Sequence, residues 1–162
     1  MPATIRELIN ADILRAVLGI RTSDGYSNDV GAVAWAHANG DPPTFPDVQG
    51  LFVVLTDNGD EPRDTSPISK DDYNASITVD VSHVESLDSD TTMNDRNAGI
   101  WADVKKALMS DRNRGTHPTN GGPLAFNTLV GTPRPFDSEQ GQGISVPVTI
   151  WFRTSKDDPY SQ

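Results

Sequence analysis

Cysteine is absent from this sequence. The chain therefore has no disulfide bond, no thiolate metal ligand and no cysteine nucleophile. Long apolar runs are missing as well, and LFVVL at 51–55 spans only five residues. A bilayer-spanning helix needs about 20 apolar residues. These two absences predict a soluble protein of a reducing, cytoplasmic compartment.

Apolar residues are also scarce overall, at 35% of the chain, while glycine and proline occupy 13 and 12 positions. The apolar residues that are present follow clear periodic patterns, so the composition predicts a modest core with long loops rather than disorder. A length of 162 residues suits one domain. We expect a single domain over residues 1–162 that ends in a polar tail from about 155.

Positive charge is in short supply: 13 lysines and arginines face 23 acidic residues, for a formal net charge of −10. Between residues 40 and 95, Arg63 and Lys70 are the two bases among thirteen acids. Such a surface repels phosphate, which argues against sequence-specific binding to nucleic acid. Bases return later in the chain, at Lys105, Lys106, Arg112 and Arg114.

Two helices and five strands emerge from the periodic patterns. Thr4 and Glu7 form a capping box that predicts a helix over residues 5–18, and a second helix is predicted from about 95 to 110. Alternation and short apolar runs predict strands at 31–38, 51–57, 73–84, about 124–131 and 143–154. Residues 57–72 and 110–123 read as long polar loops, the first of them acidic. The order favours an α+β domain in which two helices cover one face of an antiparallel or mixed sheet.

The acidic stretch ESLDSD at 85–90 is the first candidate for chemistry. Aligned as a calcium loop from Asp88, it places Met93 where glycine is needed and Gly99 where the bidentate glutamate belongs. His83 and Glu85 form an H-x-E pair, but a zinc deaminase also needs cysteines. We interpret the stretch as a solvated linker whose negative charge favours the start of the second helix.

Other catalytic signatures are equally weak. Gly141-Gln142-Gly143 lacks the third glycine of a dinucleotide site, and His37, His83 and His117 are far apart in the sequence. We therefore expect neither an enzyme nor a requirement for a cofactor or metal.

Trp151 is the feature that most favours a binding role. It falls on the polar side of the last strand, where a tryptophan either packs under a loop or marks a partner surface. The two long polar loops are more easily explained as docking arms than as catalytic loops. Our candidate subunit or partner surface comprises Trp35, Phe52, Trp151, Arg153, Lys105, Arg112 and Arg114.

The ordered pattern of elements resembles that of the tail terminator, or tail completion, proteins of long-tailed bacteriophages. The resemblance covers most of the chain. It is carried by IRELINADILRAVL, GYSNDVGAVAW, LFVVL, YNASITVDVSHV, DRNAGIWADVKKALM and GISVPVTIWFRT. The loop at 57–72 has no residue-by-residue match, and the match includes no catalytic signature.

This resemblance implies an α+β fold and a ring, usually a hexamer, on the head-proximal end of the tail tube. Its partners would be further copies of itself, the tail tube protein and a head-completion or neck protein. The protein would be part of the virion tail or neck and would assemble in the host cytoplasm. Genomic DNA would pass through an acidic lumen without specific binding, because like charges repel, and no membrane would be involved.

Three alternatives stay open from the sequence. The chain is a head-completion or adaptor protein that binds the portal side, a tail tube subunit, or a small metal-dependent enzyme that uses His83, Asp88 and Asp90. A terminator should accompany headless tails and an adaptor tailless heads, whereas a tube subunit should polymerise into long tubes.

Overall fold

A computed structural model describes residues 2–37, 43–45, 50–64, 68–83, 92–138 and 141–160 of the chain. It confirms the predicted α+β class, with two helices and six strands. The helices are α1 (Ile5–Leu18) and α2 (Met93–Met109), and a short 3₁₀ turn covers Thr22–Asp24. The strands are β1 (Val30–Trp35), β2 (Leu51–Pro62), β3 (Lys70–His83), β4 (Asn127–Val130), β5 (Arg134–Ser138) and β6 (Gly141–Ser155).

Both helices begin at a capping side chain. The Thr4 side chain accepts from the Glu7 amide and Glu7 bonds back to the Thr4 amide, which is the predicted capping box. Thr92 caps α2 through the Asp95 amide. These bonds satisfy amide groups that have no partner within the helix. Among the described residues, neither helix is long and apolar enough to span a membrane.

The sheet is mixed. Its strand order is β1-β2-β3-β6-β4. Strands β4 and β5 share one edge of β6, where β4 pairs with residues 148–151 and β5 with residues 141–145. β1 and β2 are parallel, whereas β2–β3, β3–β6, β4–β6 and β5–β6 are antiparallel. The fully antiparallel version of the prediction is therefore wrong at the β1–β2 pair.

One face of the sheet, the helix face, holds the core. Ile77 and Val79 of β3 and Val148 and Ile150 of β6 are buried there, with at most 1% of each side chain exposed. They form one hydrophobic cluster with Ile5, Ile9, Ile13, Ile100, Val104 and Leu108 of the two helices. The alternation predicted for β3 and β6 is confirmed, since residues of the opposite parity in these strands lie on the second face.

The predicted loop over 57–72 is wrong for most of its length. β2 continues to Pro62 and β3 begins at Lys70, so both arms of this stretch are strands. The missing apolar periodicity has a physical cause: β1 pairs only as far as Leu55, and residues 57–62 of β2 are exposed. A strand segment that is exposed at one edge and on its faces does not need apolar side chains. The hydrophobic pattern of the sequence therefore does not reveal it.

The second predicted loop, 110–123, is not a free arm. Arg114 and His117 are buried, and the neighbouring Leu124 and Ala125 belong to the core. The predicted polar tail also packs: the Pro159 carbonyl accepts from the Ile5 amide at 3.2 Å, and the Tyr160 carbonyl lies 2.9 Å from His117 Nε2. Both segments are polar in composition but are held against α1.

Pro147 shows how a proline fits into an interior strand. The Pro147 carbonyl accepts from the Gly131 amide at 2.7 Å. Gly131 lies in the gap between β4, which ends at Val130, and β5, which begins at Arg134. The Pro147 nitrogen, which has no hydrogen to donate, faces this gap as well. In an antiparallel strand the N–H and C=O of one residue point to the same neighbour. Pro147 therefore lies where the ladder along β6 is interrupted, between the segments that pair with β4 and with β5.

Candidate interaction surface

Trp151 lies on the second face of the sheet, as its parity in β6 predicts. Its register partners are Asn74 on β3 and Asn127 on β4. The Phe126 amide donates to the Trp151 carbonyl at 2.7 Å, which brings the two rings together with centroids 5.0 Å apart. The end of the sheet at β4 and β6 thus carries an aromatic pair.

Two arginines lie against these rings. The guanidinium of Arg63 is 4.4 Å from the Trp151 ring centroid, and that of Arg153 is 4.9 Å from the Phe126 ring. A cation over an aromatic ring is attracted by the negative charge of the ring face. We call the set Phe126, Leu129, Trp151, Arg63 and Arg153 the aromatic corner.

Asp72 fixes one of these arginines. Its side chain is almost wholly buried, at 1% exposure, and it accepts from Arg153 Nε and from Nη2, the latter at 2.9 Å. The hydrogen bonds from Arg153 hold the pKa of Asp72 below its usual value against the opposing effect of burial. The same bonds raise the pKa of Arg153. A two-point contact of this kind sets the guanidinium plane as well as its position.

The corner remains accessible. Leu129 is 57% exposed and Phe126 is 39% exposed, while Trp151 is half-buried. Aromatic residues and arginine are enriched in protein interfaces, where the ring supplies contact area at a low cost in conformational entropy. The arrangement therefore provides a surface that can bind another protein.

A second surface lies at the opposite edge of the same sheet. The distal half of β2, residues 57–62, pairs on the β3 side only, within the described part of the chain. Asp57, Asp60 and Glu61 all lie in this half. Arg6 of α1 contacts Asp57 at 2.8 Å and Asp60 at 2.9 Å. We call residues 57–61 the acidic strand edge.

The predicted interface residues do not all lie together. Trp151 and Arg153 belong to the aromatic corner. Trp35 lies on the helix face of β1, where it packs against the core while half-buried. Phe52 points to the second face but is only 8% exposed, and its ring lies 5.4 Å from that of Phe45. Phe45 therefore covers part of Phe52, which leaves little of the Phe52 side chain exposed.

The predicted basic residues separate in the same way. Lys105 lies over the Trp101 ring at 4.8 Å, on α2. Arg112 is exposed in the following turn, and its carbonyl accepts from Thr128 at 2.8 Å. Arg114 has no exposed side-chain area, so the prediction that it belongs to a surface is wrong.

Arg114 instead forms buried contacts between α1 and the segment that follows α2. Its Nη1 lies 3.4 Å from Asp12 of α1, and its Nη2 donates to the carbonyls of Leu108 and Asp111. Burial lowers the pKa of Arg114, and the Asp12 charge opposes that effect. A recess of about 330 Å³ beside this pair is lined by Leu8, Arg15, Thr116 and Leu124. The Arg114 guanidinium, which lines this recess, is already paired with the carboxylate of Asp12.

The titratable groups of the residues singled out from the sequence lie in different parts of the described structure. No cluster of three histidine, aspartate or glutamate side chains is placed to hold a metal ion there. His83 ends β3 and is 4% exposed. The stretch 85–90, including Asp88 and Asp90, lies outside the described residues. Asp80 is half-buried on the second face, where burial raises its pKa while a hydrogen bond with Ser145 opposes the rise.

Sequence reasoning missed the acidic strand edge, three members of the aromatic corner (Arg63, Phe126 and Leu129) and Asp72, which holds Arg153 in place. Arg63 and Asp72 fell within the stretch interpreted as a loop. The one available signal was parity, because Asp72 continues the polar series Asn74, Ser76, Thr78 and Asp80 of β3. Leu129 belongs to the four-residue strand β4 and Phe126 directly precedes it, and so short a strand has no alternation strong enough to separate its faces.

The comparison of the sequence with models of known protein families finds no match. A search among curated proteins also finds no significant match.

Proposed function

We propose that this protein is a structural assembly protein that forms a ring at the head-proximal end of a bacteriophage tail tube. In this role it ends tube polymerisation and offers a docking surface to the neck of the filled head. The ring number, six, and the position follow from the resemblance of the sequence to tail terminator proteins.

The aromatic corner is the observation that carries the proposal. Phe126 and Leu129 are exposed on a sheet face otherwise rich in polar residues, and Arg63 and Arg153 lie against the neighbouring rings. Such a surface suits contact between proteins, because exposed aromatic side chains and arginines are enriched in protein interfaces.

The charge of the chain also fits a channel for DNA. Each copy contributes a formal charge of −10, so a ring of several copies is strongly acidic. Phosphate groups are repelled by such a lumen, whereas basic side chains would hold the genome by releasing its counterions. The genome then slides through the ring without specific contacts.

Imaging of tail preparations tests the proposal. The full chain is labelled and incubated with headless tails and, separately, with tailless heads, and both are viewed by electron microscopy. The expected result is one label at one end of each tail and none on the heads. A label on the heads alone would identify an adaptor, labels along the tube would identify a tube subunit, and either result contradicts the proposal.

A further inference from the structure

The rings of the aromatic corner lie near one edge of the sheet, at the same level as the acidic strand edge on β2, and Arg63 reaches the Trp151 ring from the end of β2. Glu61 is in register with Asn74, Asn74 with Trp151, and Trp151 with Asn127. This row crosses β2, β3, β6 and β4, a width of about 14 Å at the usual strand spacing. One domain therefore presents two different surfaces, at one level, on its two flanks.

The two surfaces also differ in charge. The corner holds Arg63 and Arg153, with Lys70 nearby on β3, against the buried Asp72. The strand edge holds Asp57, Asp60 and Glu61 against Arg6. The chain as a whole has a formal net charge of −10, so the basic residues beside Trp151 form a local exception. Opposite charges on facing surfaces guide association and set its register.

The strand edge is built for side-chain contact rather than for strand addition. A bulge lies between Asp57 and Asp60, and Gly59 within it has a φ of +93°. Bulges and charged side chains on an exposed edge prevent another strand from pairing there. Arg6 holds the carboxylates of Asp57 and Asp60 in place, so less side-chain entropy is lost when they meet a partner.

We propose that the aromatic corner of one copy binds the acidic strand edge of a second copy of this chain. This inference rests on the self-association in the proposed function and names the surfaces that produce it. The contact is head-to-tail, because each copy contributes a different surface, and a contact of this type closes into a ring when repeated by rotation.

Mixing two variants of the full chain tests the inference. Leu129→Asp disables the corner, and Glu61→Arg disables the strand edge. We expect each variant alone to associate about 30-fold or more weakly than the wild type, as for a central interface residue. An equimolar mixture should form one-to-one dimers and stop there, since the pair retains a single intact corner and a single intact edge. Analytical ultracentrifugation measures these species.

Matched controls separate the interface from general effects. Leu18→Asp makes the same kind of change at the end of α1, where Leu18 is 39% exposed. Asp24→Arg reverses an exposed charge in the 3₁₀ turn. Both controls should assemble like the wild type, and circular dichroism should show the native fold for all four variants.

Rings formed by Leu129→Asp or by Glu61→Arg alone would overturn the inference, and so would a mixture that stays monomeric. A wild-type chain that is monomeric even with tail tubes would overturn both proposals. If the mixture dimerises but labelled protein is absent from tail ends, the proposed function fails and the contact stands. If the label marks tail ends while both variants form rings, only the contact fails.

Discussion

Two arginine–aspartate pairs show how differently the two sides of this molecule treat charge. Beside α1, Arg114 and Asp12 have 0% and 8% of their side chains exposed. On the second face, Arg153 and Asp72 have 26% and 1% exposed. The first pair is closed off and joins the 111–124 segment to a helix. The second keeps one partner at the surface, where a buried acid holds an arginine ready for contact.

The same contrast divides β6 residue by residue. Its core-facing side chains contribute hydrophobic burial, whereas those on the second face contribute polar pairs and the aromatic corner. One face of this strand thus contributes to the core, and the opposite face carries the surface that we propose for recognition. Three tests, on β6 and on its neighbour β3, probe the two faces in order of decreasing effect.

Replacing neighbours on β6 should separate the faces most clearly. Ile150 is fully buried, so Ile150→Ala should lower the free energy of unfolding by about 3–4 kcal/mol through lost burial and a cavity. Thr149 is half-buried on the second face, and Thr149→Ala should cost less than about 1 kcal/mol. Urea denaturation measures both, and equal costs would refute the division.

Asp72→Asn tests whether the second-face pair is structural as well. At pH 7 the substitution should lower the free energy of unfolding by about 1–3 kcal/mol, because Arg153 loses a charged partner. The pKa of Asp72 is lowered by folding, so its contribution is present above the usual aspartate pKa and is lost as the pH falls through the folded value.

The cost of Asp72→Asn should therefore shrink below about pH 4. Denaturation at pH 7 and pH 3 checks this, with Asp24→Asn as an exposed control that should change little. A cost that is equal at both pH values would show that Asp72 acts through packing alone.

Asp80→Asn should have the smallest effect, with the opposite sign. Burial raises the pKa of Asp80, so the folded state binds a proton more readily than the unfolded state does. The ionised form is then destabilising above the raised value, and the penalty disappears below the usual aspartate pKa. We expect a gain of about 0.5–1 kcal/mol at pH 7 that is absent at pH 3. Thermal denaturation at the two pH values measures it, and a loss of stability at pH 7 would contradict this assignment.

Prediction from sequence succeeded where buried apolar residues recur at the spacing of a helix or a strand. The helix over 5–18, the second helix predicted from about 95 to 110, and the alternating strands β3 and β6 are all confirmed. It failed where strands have little cover: the distal half of β2 carries no apolar signal, and β5 contains Pro135, which is tolerated because β5 lies at the sheet edge. The burial of Arg114 had no signal in the sequence, since it depends on a partner, Asp12, about one hundred residues away.

The candidate surface was harder to predict than the fold. Trp151 could be identified because it breaks the polar side of an alternating strand. Phe126 and Arg63 approach it only through strand pairing, which brings residues far apart in the chain to one place. Neither the composition of the sequence nor the spacing of its residues predicts such strand pairing.

The central place of β6 has a consequence for biosynthesis. Residues 141–155 lie between β3 and the β4 and β5 edge, yet they are translated after every other strand. Before the ribosome has added them, β3 lacks its pairing partner on one edge, and the core lacks the apolar side chains of β6. The nascent chain must therefore remain without its finished sheet until β6 has been synthesised, an interval in which a chaperone would find exposed apolar side chains to hold.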